Sequence, residues 1–161
     1  MDKVNIDAVE ELSYEVNEAY RTLRTNIALY GSDIKAIVIT SSIPKEGKTS
    51  VAFSLAKSMA KIEKKVLFID ADLRKSTFMK RYKVKGKVNS LNCFLSGEEA
   101  FENVVYSTNI ENLNMVFSDS PCPNASELLD SSYFKELIPS LKKEYDYIFI
   151  DTPALGSVID S

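Results

Sequence analysis

The chain has 161 residues, of which 45% are hydrophobic and 27% are charged, a composition typical of one globular domain with a sizeable core. Its formal net charge of −3 gives no general reason to expect a nucleic-acid partner. The sequence contains no histidine, which excludes a histidine base, a histidine metal ligand and any Ser-His or Cys-His nucleophile pair. Its chemistry must therefore depend on carboxylates, lysines and the backbone.

Targeting and redox signals favour the cytoplasm. The two cysteines, Cys93 and Cys122, form no C-x-x-C pair and are typical of small buried residues in a reducing compartment. The N-terminal segment MDKVNIDAVEELSYEV lacks the apolar core of a signal peptide, and no window approaches the ~18 consecutive apolar residues of a membrane span. We therefore expect a cytoplasmic protein that associates with a membrane only through a partner.

The first predicted element is an amphipathic helix over residues 13–30, which ends near Gly31. Its apolar residues recur at spacings of three and four: Val16, Tyr20, Leu23, Ile27 and Tyr30.

The period then changes to short apolar runs, which predict strands buried on both faces of a sheet. These runs cover residues 36–40, 65–70, 113–117 and 147–151. Helical patterns lie between them at residues 48–62, 98–105 and 125–144. The alternation predicts an α/β layered domain with a mostly parallel central sheet flanked by helices.

Three of the predicted strands lead into polar residues. The first leads into Gly47-Lys48-Thr49, the second ends at Asp70, and the last ends at Asp151. Ligands of α/β sheets bind beyond the carboxyl ends of the strands. The sequence therefore predicts a ligand site at this edge of the sheet.

The loop over residues 41–48 predicts a phosphate site, because its amides and the N-terminus of the next helix would face one spot. Ser42 stands where the first glycine of G-x-x-x-x-G-K-[ST] belongs. In a phosphate-binding loop, Lys48 would reach the β- and γ-phosphates and the Thr49 hydroxyl would hold Mg²⁺. A solvated helix start with Thr49 as a local cap is the alternative interpretation.

Asp70 and Asp72 are two residues apart at a strand end, so both side chains can leave one face while Ala71 points the other way. Thr49, Asp72 and, through water, Asp151 make a plausible magnesium ligand set. Asp70 could then accept a proton from an attacking hydroxyl. A solvated turn or a helix cap is the alternative for the pair, and a structural acid at a strand end is the alternative for Asp151.

Three stretches, SSIPKEGKTS, VLFIDADLR and YDYIFIDTP, resemble the Walker A, Walker A′ and Walker B motifs of the bacterial tyrosine kinases that serve capsule and exopolysaccharide synthesis. EAYRTLRTNI is similar to the E-x-x-R-x-x-R helix of that family, and PCPNASELL to its P-N-P-x-E-L-L segment. The resemblance implies a three-layer P-loop NTPase fold over residues 1–161. A helical region at 1–33 would precede a nucleotide-binding core at 34–161.

The resemblance further implies a protein-tyrosine kinase of the autophosphorylating type that uses ATP and Mg²⁺. The implied catalytic residues are Lys48, Asp70 and Asp72, and the implied metal ligands are Thr49, Asp72 and Asp151. The implied nucleotide-binding residues are Ser42, Pro44, Lys45, Glu46, Gly47, Lys48, Thr49 and Ser50.

Partners also follow from the resemblance. Glu18, Arg21 and Arg24 would mediate assembly into a homo-oligomeric ring in which one subunit offers tyrosines to its neighbour. At ~100° per residue these three lie off the apolar stripe, on the expected outer side of the helix, where a solvated charged face is the alternative. The other implied partners are a membrane-embedded polysaccharide co-polymerase that acts as activator and a cognate tyrosine phosphatase, with no nucleic acid.

The chain departs from the family pattern at two places. Lys45 replaces the glycine of P-G-E-G-K, which would cost on the order of 1 kcal/mol if the position needs φ > 0, although its ammonium could recover a similar amount beside a triphosphate. The chain also ends shortly after Asp151, before the expected adenine-contacting region and tyrosine cluster, and Asp160 is similar to the start of the next family segment. We therefore expect a fragment or a truncated protein.

A basic run over residues 74–87 carries seven cations and no acid. It predicts a solvated loop, or a mobile flap that touches an acidic partner or the inner membrane leaflet.

Two alternatives to the kinase function remain open. One is a switch ATPase of the Min/Par partitioning type, which is weakened because Ile43 stands where that group has its signature lysine. The other is a non-catalytic interaction module.

Overall fold

The computed structural model describes residues 1–31, 33–119, 121–122, 124–129 and 132–155. Its helices are α1 (Tyr14–Leu29), α2 (Lys48–Ala60), α3 (Phe78–Arg81), α4 (Leu91–Leu95), α5 (Ala125–Leu129) and α6 (Ser132–Glu144), with a 3₁₀ turn at Phe101–Asn103. Its strands are β1 (Asp2–Lys3), β2 (Asn5–Ile6), β3 (Ala36–Ile39), β4 (Val66–Asp70), β5 (Val84–Lys85), β6 (Tyr106–Ser107), β7 (Leu113–Val116) and β8 (Tyr147–Asp151). No helix in these ranges combines the length and apolar character that a bilayer crossing needs.

The centre of the fold is a six-stranded sheet with the order β1-β6-β7-β4-β8-β3. Among these described strands, β6 and β7 run antiparallel and the other neighbours run parallel. β2 and β5 form a separate antiparallel pair. The predicted α/β fold with a mostly parallel sheet is confirmed. The N-terminal region, for which the sequence predicted only a helix, also adds β1 to the sheet.

Helices cover both faces of the sheet, as expected for three layers. On one face, Phe68 of β4 and Phe149 of β8 pack in a cluster with Phe53 and Ala56 of α2. On the other face, the alternate residues of β4 and β8 pack with Leu141 of α6. Because β4 lies between β7 and β8 and is covered from both sides, all of its residues are buried, as its apolar run predicts.

Two predictions about the sheet are corrected. β3 was expected to be buried on both faces, but it lies last in the strand order and Val38 is 60% exposed. The helix predicted over residues 98–105 is wrong, because that stretch holds only the 3₁₀ turn. A shorter helix, α4, precedes it and ends before Gly97, whose φ of 78° lies in the left-handed region that suits glycine.

Two other predicted helices are present with changes. The predicted helix over 125–144 corresponds to α5 and α6, and the residues between them, 130 and 131, lie outside the described part. The predicted N-terminal helix is confirmed as α1, and the Ser13 hydroxyl caps it by accepting from the Val16 amide.

The apolar stripe of α1 is only partly buried. Tyr20 and Ile27 pack against the core, whereas Val16, Leu23 and Tyr30 are exposed. Arg24 also departs from the predicted outer side, because its Nη1 donates to the Ser58 carbonyl of α2 at 2.9 Å. Helical spacing identifies a stripe, but the neighbour that covers it is a tertiary property.

Candidate active site

Strand register brings the predicted site residues to one edge. β8 lies between β4 and β3, so that Asp151 is in register with Asp70 on one side and with Ile39 on the other. The backbone continues this pairing past the strand ends, because the Ala71 amide donates to the Asp151 carbonyl at 2.8 Å. The phosphate loop and both strand-end carboxylates therefore lie together, as the sequence predicts.

The loop between β3 and α2 has two residues in the left-handed region, Lys45 with φ of 68° and Gly47 with φ of 85°. Gly47 is the N-cap of α2, and it makes no side-chain cap bond. The loop is closed from within, because Glu46 Oε2 accepts from the Ile43 amide at 3.3 Å. The N-terminus of a helix of this length presents unpaired amides and a positive dipole end to an anion.

Lys48 and Thr49 both contact Asp151. Lys48 Nζ donates to Asp151 Oδ1 at 2.7 Å, and Thr49 Oγ1 donates to Asp151 Oδ2 at 2.6 Å. The Asp151 side chain is 1% exposed and that of Lys48 is 9% exposed. Burial raises the pKa of Asp151, while the hydrogen bonds from Lys48 and Thr49 oppose the rise. The alternative interpretations of a solvated lysine and a local threonine cap are therefore wrong.

Asp70 lies beside Asp151 in the sheet and is shielded from solvent. It is 1% exposed, one of its oxygens accepts from the Ser76 hydroxyl, and the other accepts from the Asp72 amide at 3.2 Å. Burial raises the pKa of Asp70 to about 7, the Ser76 hydrogen bond lowers it, and the nearby Asp151 charge adds to the rise.

The expectation that Asp70 and Asp72 leave the same face into the site needs correction. Asp72 is half-buried and lines the cavity beside the phosphate loop, whereas Asp70 does not line it. The Asp72 carboxylate accepts from the Lys75 amide at 3.0 Å and from the Arg74 amide at 3.3 Å, so it also holds the turn after β4. Sequence reasoning missed Ser76, for which the only signal is a short hydroxyl side chain within a basic run.

The cavity at this edge has a volume of about 600 Å³. Six of the site residues that the sequence predicts line this cavity: Pro44, Lys45, Gly47, Lys48, Thr49 and Asp72. The predicted residues Ser42, Glu46 and Ser50 lie in the same described loop and helix start but do not line it. The lining residues that the sequence did not assign to the nucleotide site include Arg74, Lys75 and Arg81, from the basic run.

The oxygen donors at the cavity suit magnesium. No three acidic or cysteine side chains within the described residues converge on one point, so a metal cage built from protein alone is not present there. Thr49 and Asp72 line the cavity, and Asp151 is bonded to Thr49. Mg²⁺ binds through one or two carboxylates, retained waters and substrate phosphates, and this donor set fits that requirement.

Comparison with curated proteins identifies relatives over nearly the whole chain. The chain is 42% identical over 151 residues to the tyrosine-protein kinase CpsD of Streptococcus pneumoniae serotype 4, covering 94% of this chain and 66% of that protein. It is 38% identical over 159 residues to the tyrosine-protein kinase YwqD of Bacillus subtilis, covering 98% and 67%. The chain therefore spans about two thirds of the length of these relatives.

Solved structures and a family model agree with these relatives. The chimerical protein CapA2B2 superposes with a TM-score of 0.82 at 31% identity, covering 94% of this chain and 70% of that one. The septum site-determining protein MinD from Pyrococcus horikoshii, solved with Mg-ADP, superposes with a TM-score of 0.65 at 30% identity, covering 75% and 49%. A model described as an AAA domain matches residues 34–161. The chain therefore belongs to the AAA domain family, within the group of bacterial tyrosine-protein kinases that includes CpsD and YwqD.

Proposed function

We propose that this chain is the nucleotide-binding part of an autophosphorylating protein-tyrosine kinase that regulates capsular or exopolysaccharide synthesis and export. The observation that carries the proposal is the cavity in which the phosphate loop meets Asp72, with Lys48 and Thr49 both bonded to Asp151. The 42% identity to a protein named as a tyrosine-protein kinase supports the same activity. The donor of the phosphoryl group would be ATP.

The loop and the start of α2 would bind the phosphates. The amides at the N-terminus of α2 would hydrogen-bond phosphate oxygens, and Lys48 would neutralise charge on the transferred group. The Lys48 ammonium already lies at this helix end, held by Asp151, so binding requires only that it exchange one oxygen partner for another. Thr49, Asp72 and, through water, Asp151 would hold Mg²⁺, which neutralises charge on the phosphates when bound.

Asp70 is the proposed proton acceptor for the attacking tyrosine hydroxyl. Its raised pKa keeps the carboxylate basic close to neutral pH, which is the range in which a general base is most effective. Because Asp70 is buried beneath the Ser76 hydroxyl, the tyrosine hydroxyl would have to replace the Ser76 hydroxyl as the hydrogen-bond partner of Asp70.

The assembly and the location of the chain are also proposals. Residues 1–161 would form one domain, which is supported by the pairing of β1 with β6 in the central sheet. Glu18, Arg21 and Arg24 would contribute to a homo-oligomeric ring, and exposed apolar side chains on and beside α1, Tyr14, Leu29 and Tyr30, support an interface there. The protein would lie in the cytoplasm and would be joined to the membrane by a membrane-embedded co-polymerase. A tyrosine phosphatase would remove the phosphate from its phosphotyrosines.

The test is phosphoryl transfer by the chain itself. The protein is incubated with Mg-ATP and a tyrosine-bearing substrate, and phosphotyrosine is located by mass spectrometry. The Lys48→Met and Asp70→Asn variants should lose the product, while Lys80→Ala, a change at an exposed residue outside the cavity, should retain it. Phosphotyrosine that persists in Lys48→Met and Asp70→Asn would remove the assignment.

A switch ATPase of the partitioning type is the second candidate, and the structural likeness to MinD favours it. Its expected result is phosphate release that depends on Lys48 without any phosphotyrosine. Ile43 in place of the signature lysine of that group argues for the kinase.

A further inference from the structure

Cations line one side of the cavity in excess of what the phosphate loop supplies. The lining residues include Lys45 and Lys48 from the loop and Arg74, Lys75 and Arg81 from the segment after β4, with Asp72 as the acid among them. We propose that Lys75 and Arg81, here called the cation wall, bind acidic residues that flank the acceptor tyrosine. This inference rests on the proposed kinase function and names the substrate class for it.

The charge balance of the cavity favours a second anionic ligand beside the triphosphate. Lys48 and the amides of α2 already serve the phosphate end, and a bound magnesium ion offsets part of the phosphate charge. Asp72 would be occupied by that ion. The cation wall lies on the side formed by the turn after β4 and by α3, where its positive charge can attract a further anion.

Three sets of contacts hold the backbone segment that carries the cation wall. The Asp72 carboxylate accepts from two amides of the turn, and the Ser76 hydroxyl is bonded to buried Asp70. Phe78 is 1% exposed and lies 5.0 Å from the Phe53 ring, centroid to centroid. These contacts hold the backbone of the turn against the core, whereas the Lys75 and Arg81 side chains are exposed, as the expectation of a solvated loop requires.

Arg81 is positioned by an aromatic ring. Its guanidinium carbon lies 5.5 Å from the centre of the Tyr82 ring, and Tyr82 is itself buried against Phe78 and Phe53. A guanidinium supported in this way keeps its edge donors for a planar carboxylate, which it can bind with two hydrogen bonds. The partner that suits the site best is therefore a Glu or Asp side chain.

The shape of the site favours a peptide over a lipid surface. The cation wall is part of a concave cavity that also contains the phosphate loop, and an extended peptide can enter it while a flat bilayer cannot. The position also matches the chemistry, because an acidic residue held there would place a neighbouring tyrosine beside the phosphates. Lys80, which precedes Arg81, is exposed and does not line the cavity, so it provides a matched control.

The test compares two tyrosine peptides that differ only in having Glu or Gln on both sides of the tyrosine. Binding to the full chain is measured by fluorescence anisotropy with a non-hydrolysable ATP analogue and Mg²⁺, at low and high salt. The Glu peptide should bind about tenfold more tightly at low salt, and the advantage should shrink as salt rises. Lys75→Ala and Arg81→Gln should each reduce the Glu-to-Gln affinity ratio by about threefold, whereas Lys80→Ala should leave it unchanged.

Phosphorylation of the same peptides separates the two proposals. If both peptides are phosphorylated but bind with equal affinity, the cation wall does not recognise acidic residues and the inference is overturned. Preferential binding to vesicles containing phosphatidylserine, with equal binding of the two peptides, also overturns it. If neither peptide is phosphorylated while the Glu peptide still binds preferentially, the kinase assignment fails and the anion site remains.

Discussion

Lys48 Nζ lies 2.7 Å from Asp151 Oδ1, so the phosphate loop and the end of β8 are joined by a nearly buried ion pair. The second oxygen of the same carboxylate accepts from the Thr49 hydroxyl at 2.6 Å. One aspartate therefore holds both loop side chains on which phosphate and magnesium binding would depend.

The first prediction concerns the contribution of this pair to stability. Lys48→Met leaves the Asp151 carboxylate buried without its cation, which should lower the free energy of unfolding by about 3 kcal/mol in the absence of nucleotide. Urea unfolding measures the change. The double variant Lys48→Met/Asp151→Asn should recover part of the loss, and Lys45→Met, at an exposed residue, should stay within about 0.5 kcal/mol. Equal free energies of unfolding for the parent chain and Lys48→Met would show that the ion pair does not stabilise the fold.

The second prediction concerns pH. The pKa of Asp70 is about 7 in the folded chain and ~3.9 when unfolded, so between these values the folded state holds a proton that the unfolded state has lost. Stability from this group is present below about pH 4 and is lost as the pH rises to about 7, by on the order of 4 kcal/mol. Urea unfolding in EDTA between these pH values should show a steeper decline in the parent chain than in Asp70→Asn. Parallel curves for the two proteins would exclude the raised pKa.

The third prediction separates the backbone of Lys45 from its ammonium. The φ of 68° at this position strains any residue with a Cβ. The free energy of unfolding of Lys45→Gly should therefore exceed that of Lys45→Ala by about 1 kcal/mol. Both variants lose the ammonium that lines the cavity, so both should bind Mg-ATP about threefold more weakly than the parent chain. Calorimetric titration and urea unfolding measure the two effects. Identical titrations for all three proteins would remove any role of Lys45 in nucleotide binding.

The fourth prediction distinguishes the two arginines of α1. Arg24→Ala loses the charged hydrogen bond to the Ser58 carbonyl and should lower stability by about 1–2 kcal/mol. Arg21→Ala removes only an exposed contact to Glu18 at 3.5 Å and should change stability by less than about 0.5 kcal/mol. Urea unfolding is compared with light scattering on both variants. A ring that dissociates in Arg21→Ala at unchanged stability would identify a direct interface residue, and equal destabilisation of both variants would contradict the placement of Arg24.

The sequence by itself determined the class of the fold and most of the phosphate site. Strands such as β4 and β8 are apolar at every position except their final aspartates, and such runs are stable only when both faces are covered. Since parallel strands place their carboxyl ends at one edge, the approach of Lys48, Thr49 and Asp151 follows from the order of the motifs. The positive φ of Lys45 could likewise be anticipated, because the family loop has glycine at that position.

Only the tertiary structure decided which side chains are covered and by what. Asp70 and Asp72 are equivalent in a local pattern, but packing and the Ser76 hydroxyl bury the first while the second lines the cavity. Arg24 faces α2 rather than the outside for the same reason. The pairing of Asp2 with Tyr106 joins residues that no local periodicity relates. Local sequence records the apolar positions and the turns, whereas the identity of the neighbour depends on contacts between residues distant along the chain.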